Sequence, residues 1–288
     1  MKKILIQLDT DPRPSVFDRI VAHDAGADEV FAFGGVKPDE VEPLVHGGMF
    51  TRGPKKLRKT AFFIGGGDID RGQALFETVR KTFFDPLTMS LMIDCNGSNT
   101  TAAAAVLCAA EHIDWKNSTT LVLGGTGPVG RRVGELVAIE GGRVRIASRD
   151  SQRAKTAAQT IAGLADSNTV QGHEIATTEG RAAALDGVNL IIAAGAAGVQ
   201  FLSRADWANL EHLRVAVDLN AVPPLGLEGI EATDDGAEHE DVICYGALGV
   251  GGLKMKIHKR AIERLFETND QRLDTRAIYQ LGREIIER

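Results

Sequence analysis

Gly125-Thr126-Gly127-Pro128-Val129-Gly130 is a G-x-G-x-x-G hexapeptide set directly between an apolar run, Leu121 to Leu123, and a helical stretch, Arg131 to Glu140. A tight turn at Gly125, bare backbone at Gly127 and close helix packing at Gly130 let a pyrophosphate reach the free amides of a helix start, whose positive dipole end holds its charge. A purely structural glycine turn is the other reading, and the strand-turn-helix context favours the dinucleotide one. The next apolar run, Arg143 to Ala147, ends in Ser148-Arg149-Asp150. An acidic residue standing first there would take the ribose hydroxyls of NAD; a hydroxyl and a guanidinium suit a 2′-phosphate instead, and Arg153 adds charge, so the expected cofactor is NADP. The alternative leaves Arg149 solvated, with Asp150 as ribose ligand or helix N-cap. Gly195 and Ala196, ending a fourth strand, and Asn220, ending a fifth, would border the nicotinamide in such a sheet, although ordinary tight turns explain the glycines equally well.

The elements that must position these residues alternate along the chain. Strand-like runs at 3–8, 27–33, 60–64, 89–93, 120–123, 144–147, 188–193 and 213–219 are separated by helical segments and punctuated by 32 glycines. Near-continuous apolar strands of this kind belong to parallel sheets covered by helices. Asn99 to Ile113 is apolar nearly all round and belongs inside, as a link between domains; Lys256 to Glu267 and a last helix after the N-cap Asp274 follow. With 288 residues, the chain has length for two domains. We expect an α/β protein of two α/β domains, the second a Rossmann-like doubly wound parallel sheet, with the C-terminal helices returning to the first: 1–112 completed by 256–288, and 113–255.

Composition excludes other classes. The chain is 43% hydrophobic and 25% charged, without the polar bias of disorder. Its net charge of −6 argues against nucleic acid as the main partner. Cys95, Cys108 and Cys244 form no C-x-x-C pair, which argues against a disulfide framework and a zinc knuckle, and no metal is expected. The opening Met1 to Ile6 is cut short by Gln7 and Asp9 and reads as a strand, not a signal segment; the uncharged stretch Cys95 to Ala110 is too short for a membrane span. These features lead us to expect a cytoplasmic protein.

Neither Tyr245 nor Tyr279 has a lysine four residues later, so the base that an alcohol dehydrogenase needs is not supplied by a Tyr-x-x-x-Lys couple. A substrate whose carbocation is stabilised by its own nitrogens needs no such base, only positioning. Asp9-Thr10-Asp11, Pro14 to Asp18, Thr51-Arg52-Gly53, Gly65 to Asp68, Asn96 to Thr101, Gly124 to Gly130 and Gly246 to Lys254 resemble, over essentially the whole chain, the NADP-dependent methylene-tetrahydromethanopterin dehydrogenases of methylotrophic bacteria, in particular the branch that also accepts methylene-tetrahydrofolate.

That resemblance implies a pterin in the cleft between two α/β domains, NADP in the second domain, and a homotrimer in which a neighbouring subunit helps form the site. It implies a pterin-site aromatic at Phe17, a threonine at Thr101, a lysine at Lys254 and a histidine at His258. Residues 1–112 would carry the pterin and 113–255 the NADP. Phe17 as a core residue and Thr101 as part of a helix start are the structural alternatives. Lys254 and His258 are four residues apart where the run Gly249 to Gly252 gives way to a helical pattern, so a helix opening at that glycine loop would set both on one face, unless they belong to a solvated basic face with Lys256, Lys259 and Arg260. The expected reaction is reversible hydride transfer from methylene-tetrahydromethanopterin, or methylene-tetrahydrofolate, to NADP. A shikimate-dehydrogenase-like NADP oxidoreductase and a non-enzymatic NADP sensor are the alternatives.

Overall fold

The structure, a computed structural model, describes residues 1–287. In chain order the elements are β1 (Ile4–Asp9), α1 (Val16–Asp24), β2 (Glu29–Phe33), α2 (Val41–Met49), β3 (Thr60–Gly65), α3 (Ile69–Thr82), β4 (Ser90–Ile93) and α4 (Ser98–Ala110). There follow β5 (Thr119–Leu123), α5 (Pro128–Ile139), β6 (Arg143–Ser148), α6 (Ser151–Ala165), β7 (Val170–Glu174), α7 (Thr178–Leu185), β8 (Leu190–Ala193), α8 (Arg204–Trp207) and β9 (Val215–Asp218). A hairpin, β10 (Asp235–His239) and β11 (Val242–Tyr245), precedes α9 (Ala247–Arg264), β12 (Arg272–Leu273) and α10 (Thr275–Ile286).

The chain divides into two compact units, Met1–Thr100 with the segment from Met255 on, and Thr101–Lys254. The divisions fall inside α4 and α9, so no change of composition marks them in the sequence. The first unit holds a five-stranded sheet of order β12-β4-β3-β1-β2, parallel throughout. All six residues of β3 (T-A-F-F-I-G) are buried, as a central parallel strand covered on both faces requires. Leu8, Phe62, Ile64 and Leu91 pack with Val41, Val45 and Met49 of α2 and Leu75 of α3 in one core. The C-terminal segment joins this unit through pairing of β12 with β4, and Asp274 caps α10 by accepting the Ala277 amide at 3.0 Å.

The second unit is a seven-stranded sheet of order β10-β11-β9-β8-β5-β6-β7. Its strands are parallel except β10, which folds back antiparallel on β11. With β6 and β7 on one side of β5, and β8 and β9 on the other, it is the doubly wound sheet that the alternation of elements predicts. Trp207, Leu121, Ile191 and Ala216 share its core.

Helix α9 corrects one expectation. The run Gly249 to Gly252 is not a loop preceding the helix; it lies within α9, which begins at Ala247. The reason is proximity of main chain, because a Cβ on Gly249 would overlap the Asp234 carbonyl oxygen and one on Gly246 that of Glu231. Glycine serves here to let a helix start touch backbone.

Arg145 of β6 donates through Nη1 to the carbonyls of Ala184 at 3.0 Å and Asp186 at 2.6 Å, closing the C-terminal end of α7. Burial first, and this cation second, hold the half-buried His173 on β7 below its ordinary value. The unfolded chain takes up that proton near pH 6.5 and the folded chain only at lower pH, so stability falls as the pH drops through about 6.5 and levels off below the folded-state value. Melting temperatures at pH 7.5 and 5.5 should therefore differ less for His173→Gln than for the unaltered protein; an equal drop in both would remove His173 from the account.

Candidate active site

Because β5 opens the second sheet and its neighbours β6 and β8 lie on opposite sides, the carboxyl ends of β5 and β8 form the crevice where chain direction switches. The glycine turn sits there. Gly124 adopts φ +69°, and a Cβ on it would come within 2.5 Å of the Gly195 Cα. A Cβ on Gly130 would lie 2.6 Å from the Gly124 carbonyl oxygen. Helix α5 then starts at Pro128 with Gly127 as N-cap and no side chain capping it. At Gly127 a Cβ would meet only the carbonyl oxygens of Gly124 at 3.3 Å and Ala194 at 3.9 Å, so its remaining side is open. An uncapped helix start beside bare backbone fits a phosphate anion. Thr126, Pro128 and Val129 are half-buried along the same turn.

At the end of β6, Ser148 Oγ accepts the Asp150 amide at 3.2 Å, and Asp150 Oδ1 accepts the Arg153 amide at 2.8 Å. Of the two roles open to Asp150 in the sequence, the structure displays the N-cap of α6. Arg149 and Arg153 are exposed around it. Gly195 lies under the Phe201 ring, which a Cβ there would overlap, and Ala196 is exposed. Asn220 is buried, and both polar atoms of its amide are engaged within its own loop: Oδ1 accepts from the Val222 amide at 3.0 Å and Nδ2 donates to the Pro224 carbonyl at 3.2 Å. Its position at the end of β9 agrees with the sequence expectation, while its side chain holds the loop. Beside it Asp218 accepts the amides of Asn220 and Leu227, and burial raises its carboxyl above the ordinary value.

The first unit gathers its polar residues at the carboxyl ends of β1, β3 and β4. Asp9 accepts the amides of Asp11 at 2.9 Å and Ser15 at 3.1 Å, shaping the loop that leads into α1. Asp94 follows β4 and is fully buried. Its Oδ1 accepts the Asn99 amide at 2.8 Å and the Thr100 amide at 3.2 Å, and its Oδ2 accepts the Thr100 hydroxyl at 2.7 Å. The chain reaches this geometry through left-handed conformations at Asn96 and Gly97. His258 of α9, also fully buried, has Nδ1 3.8 Å from Asp94 Oδ2. Its ring is stacked on Phe63, with centroids 6.0 Å apart at 9°, and Phe17 lies 6.1 Å away on α1, 49% exposed.

Phe17 and His258 are thus neighbours. Lys254, half-buried, is one turn before His258 on α9, and the half-buried Thr101 directly follows the Asp94-bound Thr100. Asp94 and Phe63 escaped the sequence reading as site residues; an acidic residue closing an apolar strand shortly before Asn96-Gly97 was the only signal for Asp94. Elsewhere, burial pushes the Cys108 and Cys244 thiols up to about 12, which removes them as nucleophiles at neutral pH. Among the described residues no group of three His, Cys, Asp or Glu side chains is arranged to hold a metal ion, and no helix is long and apolar enough to cross a membrane.

A switch-point glycine turn on one α/β unit and a polar strand-end cluster on another define a Rossmann-like α/β protein of two units. Quinate dehydrogenase from Corynebacterium glutamicum, solved in complex with NAD, shares this fold: TM-score 0.54 at 11% identity, over 100% of this chain and 99% of that one. Residues 16–96 match the family described as methylene-tetrahydromethanopterin dehydrogenase, N-terminal. The chain is 44% identical over 286 residues to the bifunctional protein MdtA of Methylorubrum extorquens, covering 99% of both. It is 31% identical over 297 residues to the NAD(P)-dependent methylenetetrahydromethanopterin dehydrogenase of the same organism, again covering 99% of both. The chain belongs to the methylene-tetrahydromethanopterin dehydrogenase family.

Two glycines of the turn should part in their effects on stability. Gly130→Ala drives a methyl into main chain and should cost about 2–3 kcal/mol. Gly127→Ala meets no such obstacle and should stay within about 1 kcal/mol, the cost of a poorer N-cap. Urea unfolding of the two variants measures the difference, and equal losses would mean that the turn is not packed as described.

Proposed function

We propose that the protein reversibly oxidises methylene-tetrahydromethanopterin, and also methylene-tetrahydrofolate, to the methenyl form with NADP. The observation that carries this reading is the uncapped, side-chain-free helix start at Gly127, set at the switch point of a chain related to the two dehydrogenase-family proteins along its whole length. The amides at the start of α5 hold the pyrophosphate. Ser148 and Arg149, with Arg153 nearby, hold the 2′-phosphate, while Asp150 Oδ1 caps α6. Gly195 and Ala196 border the nicotinamide, and Asn220 shapes the loop beside it. NADP, when bound, accepts the hydride.

The first unit presents the exposed ring of Phe17 as a flat apolar surface for the pterin. Lys254 donates hydrogen bonds to the pterin's carbonyl and ring acceptors. Because a cation next to a carbon that becomes cationic is unfavourable, its ammonium belongs at the distant pyrimidine edge, as an orienting group. Thr101 is a further residue that we assign to the pterin, and His258 acts through Phe17, which it neighbours. The pterin nitrogens stabilise the methenyl cation, so the hydride step needs no protein base. We take the protein to be cytoplasmic and a homotrimer, a state that light scattering of the purified protein reads directly.

The purified enzyme should reduce NADP, followed by NADPH absorbance, with methylene-tetrahydromethanopterin and with methylene-tetrahydrofolate. Activity with shikimate alone, or with none of these, contradicts the reading. Arg149→Ala should weaken NADP binding roughly ten- to a hundredfold and leave NAD almost unchanged; equal loss for both would take the 2′-phosphate away from Arg149. Lys254→Ala should slow turnover at least about tenfold with NADP affinity retained. Wild-type turnover and pterin affinity in that variant would make the lysine surface charge only.

A further inference from the structure

His258 has no exposed surface, so whatever it contributes to a ligand it contributes through its neighbours. Three of these are fixed by the fold. Phe63 comes from the fully buried strand β3 and lies nearly parallel to the imidazole. Phe17 comes from α1, whose start is set by Ser15 accepting the Asp18 amide, and has its ring half in solvent. Asp94 comes from the end of β4 and is the residue on which the start of α4 converges.

A carboxylate inside a protein costs several kcal/mol unless hydrogen-bond donors and a partner compensate it. Asp94 has three donors from Asn99 and Thr100, and its Oδ2, the oxygen that takes the Thr100 hydroxyl, is the one facing His258 Nδ1. Capping α4 needs only Oδ1, and asparagine would serve for it. What asparagine would not supply is negative charge on the side turned to the imidazole. That charge favours a proton on Nδ1 over a bare nitrogen lone pair there, and so fixes both the tautomer and the orientation of the ring.

We infer that Asp94 is a positioning residue of the pterin site, acting through His258: it holds the imidazole in its Nδ1-protonated form against Phe63, and the imidazole supports Phe17 from below. This rests on the reading of Phe17 as the pterin-facing ring. Asp94 touches neither substrate nor cofactor; its effect is on where the Phe17 ring stands.

In Asp94→Asn the amide oxygen still accepts from Asn99 and Thr100, but the amide nitrogen takes the place of Oδ2 and presents a donor to Nδ1. A donor dipole in place of a negative charge then faces Nδ1, which removes the preference for a proton there and favours Nε2–H. Nitrogen-15 spectra of histidine-labelled protein, with the resonance assigned as the one missing from His258→Gln, should report Nδ1–H in the unaltered protein and Nε2–H in Asp94→Asn. A bare Nδ1 in the unaltered protein overturns the inference by itself, even if the variant does not fold. In steady state Asp94→Asn should raise KM for methylene-tetrahydromethanopterin about tenfold and leave KM for NADP as it was. Unchanged pterin KM in a folded variant, or equal rises for both substrates, overturns it. An unaltered protein that does not turn the pterin over refutes the proposed function instead, and leaves the tautomer result to stand on its own.

Discussion

The arrangement depends on how closely two strand ends approach at the switch point of the second sheet. Gly124, leaving β5, passes over Gly195, leaving β8, with no room for a side chain on either, and Gly130 brings the first turn of α5 against the same backbone. This three-way contact of main chain directs the helix start at the crevice and leaves its amides without a side-chain cap. Phosphate binding then requires no positive residue in the turn itself, since helix-terminal amides supply the donors. Charged residues enter only one strand away, at Arg149 and Arg153, both exposed, where the proposed reading uses them for selection between cofactors more than for holding.

The first unit solves the opposite problem. Instead of bare backbone, it buries carboxylates at its strand ends and uses them to organise loops: Asp9 gathers the amides that lead into α1, and Asp94 those that begin α4. Each is compensated by several donors, which makes the loops stiff and the side chains they carry well placed. Phe17, on the helix that Asp9 helps to start, and His258, against Asp94, meet as a result. The base-free hydride step proposed above asks for such rigidity, because alignment of the methylene carbon would then be most of what the protein contributes.

Legibility in the sequence follows the range of each interaction. The turn at Gly125 to Gly130, the buried strands and the cap at Asp274 are local patterns and are readable from it. The edge strands β7 (V-Q-G-H-E) and β10 (D-G-A-E-H) are not, because these two, unlike the edge strand β2 (E-V-F-A-F), carry little apolar signal. Nor is the start of α9, since glycine at 249 looks like a loop until the Asp234 carbonyl beside it is seen. The N-cap role of Asp150, one of two that the sequence leaves open, is shown by the Arg153 amide that it accepts. Asp94 and His258, far apart in the chain, come together only through packing of α9 on the first sheet's strand ends.

Direct hydride transfer between pterin and NADP is the claim on which the rest converges, and isotopic labelling tests it most directly. With methylene-tetrahydromethanopterin carrying two deuterons on the methylene carbon, the enzyme should yield NADPH one mass unit heavier than the unlabelled product, one deuteron per molecule, with none lost to solvent. NADPH formed without the label, or no NADPH from a folded protein, would contradict it.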